Sequence, residues 1–228
     1  MQENKIPHHV GIIMDGNGRW ATALGKDRSY GHKVGSANVD KIVEYAFDNG
    51  IFALTLYAFS SENWARPQKE VDELMKLLKL YMKKFYKKLV GSDIRLVIAG
   101  DKSALAPDLV KEMERVEKAT LNNSGHILTI ALNYGGRQEI VTAVNKLLSD
   151  GKSVTVDGIS EYLYTKDSGE PDLIIRTGGE KRLSNFMLYQ GAYSELYFTD
   201  VLWPDFDEKE FDKAIEDYSK RFRRFGKV

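Results

Sequence analysis

The residues best equipped for chemistry follow the first apolar run: His9-Val-Gly-Ile-Ile-Met-Asp15-Gly16-Asn17-Gly18-Arg19-Trp20-Ala21 sets a glycine-rich loop after a candidate strand and before a helical segment. Glycines let backbone N–H groups approach a phosphate, and a following helix N-terminus adds positive potential, so the loop reads as an anion site. Asp15 stands directly before the glycines, where a bare carboxylate would repel a pyrophosphate. A divalent cation bridging carboxylate and phosphate would offset that repulsion, as would Arg19, and oxygen ligands favour magnesium. Gly16, Gly18 and Ala21 also satisfy the relaxed G-x-G-x-x-G/A spacing, which keeps a nicotinamide-dependent oxidoreductase open as the competing chemistry.

Further polar clusters fall at similar places. Arg28 and His32 follow the loop within a turn or two. The stretch Phe59-Ser60-Ser61-Glu62-Asn63-Trp64-Ala65-Arg66-Pro67 packs hydroxyls, an amide, a carboxylate, an indole and a guanidinium between a candidate strand and a helix. Later, Ile175-Arg176-Thr-Gly-Gly-Glu-Lys-Arg182-Leu183-Ser184-Asn185-Phe186 delivers two guanidiniums and a hydroxyl, a credible second phosphate clamp because arginine offers forked donors to oxyanions. Glu195, just before the last candidate strand, is a candidate oxygen ligand, with a helix cap or a surface salt bridge as the plainer alternatives. The chain has no nucleophile elbow, Walker lysine loop or His-Glu-x-x-His to suggest another standard chemistry. Two phosphate-sized sites and one metal-capable carboxylate match a substrate with diphosphate heads.

The elements that must position these residues are those of an α/β chain. Its 228 residues suit one large domain spanning 1–228, and 43% apolar content supports a real core. Thirty-three Lys and Arg balance 33 Asp and Glu, so no general attraction to nucleic acid is expected. The absence of cysteine excludes disulfides, thiolate metal sites and a cysteine nucleophile. No apolar run approaches the roughly 18 to 20 residues that cross a bilayer, and the N-terminus lacks the features of a secretory signal. A cytoplasmic location is the expectation.

Apolar runs predict strands at 10–14, 53–59, 94–98, 127–133, 173–176 and 196–199. Helical periodicity predicts helices at 30–48, 71–89, 107–121, 137–148 and 207–223, with shorter ones at 159–164 and 186–190. Strands alternating with helices imply a six-stranded, largely parallel sheet covered on both faces. In such sheets ligands collect beyond the carboxyl ends of the strands, where the Asp15 and Ser60 loops should meet. The 71–89 segment is unusual: Leu77 and Leu80 widen its apolar stripe, so it suits either a buried helix or the wall of a greasy cavity.

Taken together, Asp15-Gly-Asn-Gly-Arg-Trp20, Gly31-His-Lys-x-Gly35, Leu56-Tyr-Ala-Phe-Ser-Ser-Glu-Asn-Trp-x-Arg-Pro67, Asn133-Tyr-Gly-Gly-Arg137, Asp172-Leu-Ile-Ile-Arg-Thr-Gly-Gly-Glu180 and Ala192-Tyr-Ser-Glu-Leu-Tyr-Phe-Thr-Asp-Val-Leu-Trp-Pro-Asp-Phe206 resemble the cis-prenyltransferases. The resemblance runs from His9 to Gly226 with all blocks in order. It implies condensation of isopentenyl diphosphate onto farnesyl diphosphate, giving a long-chain polyprenyl diphosphate, expected to be undecaprenyl, that serves cell-wall synthesis. It further implies a parallel-sheet fold without true Rossmann topology, a homodimer, Mg²⁺, and transient peripheral contact with a membrane.

Residue by residue, Asp15 resembles the essential metal-binding carboxylate, and Gly16, Asn17, Gly18 and Arg19 the cradle of the allylic diphosphate, helped by Arg28, His32 and Arg66. Ser60, Ser61 and Glu62 match a substrate-binding turn, Asn63 the assigned proton acceptor, and Trp20 and Trp64 aromatic positions of the substrate region. Arg176, Arg182, Leu183 and Ser184 resemble the isopentenyl diphosphate clamp, Glu195 a second metal-associated acid, and Arg224-Phe-Gly226 a terminal motif that reaches a partner subunit. A neutral amide is a very poor base, so Asn63 is better suited to orient an oxygen that takes the proton.

Overall fold

The computed structural model describes residues 6–221. Strands β1 (His9–Ile13), β2 (Ala53–Ser60), β3 (Ile94–Ala99), β4 (His126–Tyr134), β5 (Leu173–Arg176) and β6 (Glu195–Phe198) form one sheet in the order β3-β4-β2-β1-β5-β6. Every pairing is parallel. Parallel strands sit between helical layers and need apolar residues on both faces, which is why these segments read as continuous runs of Val, Ile and Leu. All five residues of β1 and all four of β5 are buried. The strand order is not the 3-2-1-4-5-6 of dinucleotide-binding domains, so the Gly16-x-Gly18-x-x-Ala21 spacing carries no nicotinamide fold.

Helices α1 (Asn17–Ala23), α2 (Arg28–Asp48), α3 (Gln68–Leu89), α4 (Pro107–Thr120), α5 (Gly136–Ser149), α6 (Val156–Tyr162) and α7 (Glu208–Ser219) cover the sheet. Alternation along the strands divides the core in two. Val10, Ile12, Leu54, Leu56, Leu128 and Ile130 face the larger layer with α2, α3 and α4, whereas Ile13, Tyr57, Ala131, Tyr134 and Ile174 face a smaller one closed by Phe186 and Met187. Among the described residues, no helix is long and apolar enough to cross a membrane.

Two expectations about elements need correction. The helix expected at 186–190 is absent: Ser184, Asn185 and Met187 take positive φ, and the only helical geometry nearby is a 3-10 turn at Gln190–Tyr193. Phe186 and Met187 are both fully buried beneath the sheet, and a loop places two consecutive apolar side chains there where a helical turn would splay them apart. The last helix ends at Ser219; the region beyond 221, with Arg224-Phe-Gly226, lies outside the described residues. α1 is an additional short helix that opens directly from the glycine loop.

The stripe on α3 splits three ways. Val71, Met82, Phe85 and Leu89 are in the core, Leu74, Leu77, Leu78 and Tyr81 border an internal cavity, and Leu80 is 63% exposed. The cavity-wall reading thus accounts for Leu77, and solvent for Leu80.

Candidate active site

β1 lies between β2 and β5, so their carboxyl ends deliver three loops to one rim. Asp15 leaves β1 with its backbone held from two sides: its N–H donates to Thr177 Oγ1 at 3.0 Å, and its carbonyl accepts from Thr177 Oγ1 at 2.7 Å and from the Trp203 N–H at 3.0 Å. Gly16 then turns the chain with φ 109°, a left-handed conformation that glycine adopts without strain. Behind it, α2 presses onto α1 through Gly31 and Gly35: a Cβ at either would collide with the Asn17 carbonyl or its side-chain oxygen. That contact explains the paired glycines of Gly31-His-Lys-x-Gly35.

The Asp15 carboxylate is bracketed by guanidiniums, Arg176 Nη2 at 2.9 Å from Oδ2 and Arg19 Nη2 at 3.1 Å from Oδ1. Burial works against its charge, but the hydrogen bond from Arg176 and the positive charge of Arg19 outweigh it and hold the carboxyl below its ordinary range. Asp15 is therefore ionised at neutral pH. Arg176 ends β5, is 5% exposed at its side chain, and uses Nη1 to donate to Ser184 Oγ at 2.7 Å and to the Arg182 carbonyl at 2.5 Å. Arg176 thus joins the β1 loop to the 177–184 loop.

After β2 the chain forms a 3-10 turn, Ser61–Ala65. The Ser60 N–H donates to Asn63 Oδ1 at 3.1 Å, while the Ser60 hydroxyl accepts the Asn63 N–H in return, a capping box. Because the Ser60 N–H needs an acceptor, the amide oxygen of Asn63 is committed and its NH₂ is the group left to work in the cavity.

A second charge cluster was not anticipated. Glu70, in the first turn of α3 and 12% exposed at its side chain, collects Arg66 Nη1 at 2.9 Å, Arg28 Nε at 3.2 Å and His32 Nε2 at 3.4 Å. Arg28 also lies against Gly18. Burial and the charge of Arg66 hold His32 below its ordinary pKa, so it is neutral at pH 7. The four-residue spacing from Arg66 to Glu70 was a visible signal, but it is also what any helical surface ion pair shows.

These groups open onto a cavity of about 410 Å³. Asp15, Asn17, His32, Asn63, Arg66 and Arg176 line it, with Arg182 and Ser184 beside them; Leu74, Leu77, Leu78, Tyr81, Met82 and Phe85 of α3 form its apolar wall. Asn17 Oδ1 is buried there with no hydrogen-bond partner.

Trp20, Trp64, Ser61, Glu62 and Leu183 brace this rim without lining it. Trp20 donates from Nε1 to Asp205 Oδ1 at 2.8 Å and stacks on Tyr30; Trp64 donates to Asn133 Oδ1 at 2.8 Å and meets Phe59 edge-on. Ser61 Oγ donates to Glu62 Oε2 at 3.1 Å, and Glu62 Oε1 accepts from Asn185 Nδ2 at 2.8 Å. The Arg182 guanidinium turns outward to Glu180, and Leu183 packs beside the smaller core layer. Glu195 is not brought to Asp15 within the chain. It opens β6 opposite Leu173, whereas Arg176 stands opposite Phe198, three positions or about 10 Å along the strand. There it forms a 2.7 Å salt bridge with Arg221.

Residues 13–226 match the family model described as "Putative undecaprenyl diphosphate synthase". The chain belongs to the cis-prenyltransferase family. Among relatives of this family, an isoprenyl transferase of Fusobacterium nucleatum is 54% identical, covering 99% of this chain and 98% of that protein. A ditrans,polycis-undecaprenyl-diphosphate synthase ((2E,6E)-farnesyl-diphosphate specific) of Buchnera aphidicola is 49% identical over 96% of this chain and 91% of that protein. Among solved structures, lavandulyl diphosphate synthase from Lavandula x intermedia, in complex with dimethylallyl diphosphate, is 37% identical with a TM-score of 0.92, covering 97% of this chain and 99% of that one. A cis-prenyltransferase fold with a six-stranded, largely parallel sheet flanked by helices is what the resemblance implied, and the sheet proves parallel throughout.

Proposed function

We propose that this chain elongates farnesyl diphosphate by successive cis-condensations with isopentenyl diphosphate, making undecaprenyl diphosphate, the precursor of a cell-wall lipid carrier. The observation that carries this reading is a single cavity whose rim holds Asp15, Arg66 and Arg176 and whose wall is the apolar face of α3. A diphosphate head and a growing hydrocarbon tail need those two surfaces side by side.

In this reading the allylic diphosphate sits against the Asp15–Arg19 loop, where first-turn N–H groups have no helical acceptor, with Arg66, Arg28 and His32 alongside. Isopentenyl diphosphate is held by Arg176, Arg182 and Ser184, Arg182 swinging in from Glu180. Holding two heads fixes the allylic C1 against the isopentenyl alkene, which supplies a large part of the rate enhancement. The C1–oxygen bond breaks as the new carbon–carbon bond forms, and guanidiniums stabilise the charge growing on the departing diphosphate. The proton lost from isopentenyl C2 passes to a diphosphate oxygen. The Asn63 NH₂ orients that oxygen, its own carbonyl being tied to the Ser60 N–H.

The site fits magnesium. Asp15 supplies an ionised carboxylate and Asn17 an unpartnered oxygen on the same cavity, and among the described residues no cluster of three His, Asp or Glu competes for a metal. That sparse set suits an ion that keeps waters and arrives with substrate phosphates. Bound there, magnesium neutralises negative charge on the diphosphates.

A homodimer also fits: α5 exposes Val141 and Leu148, seven residues apart on one face, a stripe a second copy would cover. The product's tail must pass into a bilayer, so we infer transient peripheral contact from a cytoplasmic enzyme. Incubating the purified chain with farnesyl diphosphate, radiolabelled isopentenyl diphosphate and Mg²⁺, then sizing the extracted lipid, tests the function. Wild type should give long-chain product and Asp15→Ala almost none; product confined to one condensation, or none from wild type, would reject it.

A further inference from the structure

The segment Asn133-Tyr-Gly-Gly-Arg137 lines no part of the cavity. It joins β4 to α5 and forms a ledge for one side chain, Asn185. The Gly136 N–H donates to the Asn185 carbonyl at 2.7 Å and the Arg137 N–H to Asn185 Oδ1 at 2.9 Å. In turn, Asn185 Nδ2 donates to Glu62 Oε1 at 2.8 Å and to Gln138 Oε1 at 3.2 Å. The absence of a side chain at Gly135 makes room for this: a Cβ there would stand 2.7 Å from Asn185 Nδ2 and 2.8 Å from Ser61 Oγ.

Asn185 holds φ 64° between Ser184 at φ 48° and, two residues on, Met187 at φ 45°. Such conformations are strained for non-glycine residues and persist where the surroundings over-determine them. The surroundings here lead to function at both ends. On one side Ser184 Oγ accepts from Arg176 Nη1 at 2.7 Å, and the Ser184 carbonyl accepts from Tyr57 Oη at 3.3 Å. On the other, Glu62 precedes Asn63 in the β2 turn. Asn185 is therefore a side-chain bridge between the loop carrying Asn63 and the loop carrying Ser184.

We propose that Asn185 is a positioning residue that couples the two diphosphate subsites. An allylic head that orders the Ser61–Ala65 turn fixes Glu62, Glu62 fixes Asn185, and Asn185 holds Ser184 and with it Arg176 in place for isopentenyl diphosphate. Asparagine suits the position because it tolerates left-handed backbone and offers both an acceptor to Arg137 and a donor to Glu62. This rests on the function proposed above, and its test separates the two.

Isopentenyl diphosphate binding is measured by calorimetry on the full-length protein with Mg²⁺, alone and with saturating farnesyl thiodiphosphate, an unreactive allylic analogue. In wild type the analogue should tighten isopentenyl diphosphate by about tenfold, a typical coupling between sites. Asn185→Gly keeps the backbone geometry and loses the bridge; Asn185→Asp keeps the Arg137 contact and sets a carboxylate against Glu62. Both should reduce the coupling to within about twofold of unity and raise KM for isopentenyl diphosphate about tenfold, with the analogue's own affinity nearly unchanged. Gly135→Ala, whose φ of −154° admits alanine, should reproduce the effect from the opposite side. Wild-type coupling retained in Asn185→Gly and Asn185→Asp overturns the proposal, as does loss of both affinities in step with a fall in Tm, the mark of a merely structural role. A wild-type protein that binds neither diphosphate overturns the proposed function instead.

Discussion

Replacing Asn63 by aspartate separates two accounts of the proton transfer. The carboxylate can accept the Ser60 N–H as the amide oxygen does, and a charged acceptor at the first helical turn is worth up to about 1 kcal/mol, so Tm should hold or rise slightly. The cavity side of the residue changes more. The lost NH₂ donor to a charged oxygen accounts for about 1.5 to 3 kcal/mol. A negative charge about 5 Å from a diphosphate oxygen adds roughly 3 kcal/mol of repulsion at an effective dielectric of about 20. Together they predict a first condensation slowed by about 10³ to 10⁴. Single-turnover quench measurements with saturating farnesyl diphosphate read the chemical step apart from product release. If residue 63 removed the proton itself, aspartate would be the stronger base. An Asn63→Asp enzyme that matches wild type in this step, with a new acidic limb in its pH profile, would refute the donor assignment.

Leu78→Trp, on the cavity wall of α3, should shorten the product while leaving the first condensation at its normal rate; lipids of full length from both Leu77→Trp and Leu78→Trp would remove α3 from the tail's path. Gly35→Ala drives a methyl into the Asn17 amide and to 2.8 Å from Trp203 Cδ1, so overpacking of about 1 to 3 kcal/mol should lower Tm by several degrees and raise KM for the allylic substrate. Unchanged values on calorimetry and kinetics would contradict the close approach of α2 to α1. His9 is buried between Thr55 Oγ1 at 2.8 Å and the Gly169 carbonyl at 3.0 Å, and burial pushes its pKa down to about 4. The unfolded chain takes up the proton first, so this contribution is complete above about pH 6.5 and falls by up to about 3 kcal/mol as pH drops to about 4. Urea unfolding of wild type and His9→Gln across that interval should show the difference between them shrinking; a constant difference would count against it.

The strands were legible because a parallel sheet buried on both faces writes itself as uninterrupted apolar runs; β1 to β5 fall within a residue or two of their expected bounds. The place of Asp15, Arg176 and Asn63 on one rim was legible because each stands at or within a few residues of the carboxyl end of such a run. What escaped depends on pairing. That Glu195 stands away from Asp15 within the chain follows from the register of β6, which sets it opposite Leu173, and no local pattern records register. Glu70 draws its partners from α2 and from Arg66 just after the 3-10 turn, each of them unremarkable in isolation. Phe186 and Met187 carried helical spacing, yet burial of both under Tyr57 and Tyr134 overrode propensity.

The central place of β1 has a consequence for synthesis. Its neighbour β2 emerges soon after it, but the strand on its other side, β5, is among the last to appear. For roughly a hundred residues of translation the nascent chain therefore carries a bare, apolar strand edge, open to mispairing with other chains. Of the two guanidiniums that bracket Asp15, Arg19 is made with it, but Arg176 arrives with that late strand, 161 residues downstream. A ribosome that stops early releases a polypeptide in which Asp15 has only Arg19 beside it and the 176–184 side of the cavity is missing, so an assembled rim certifies that translation ran nearly to completion.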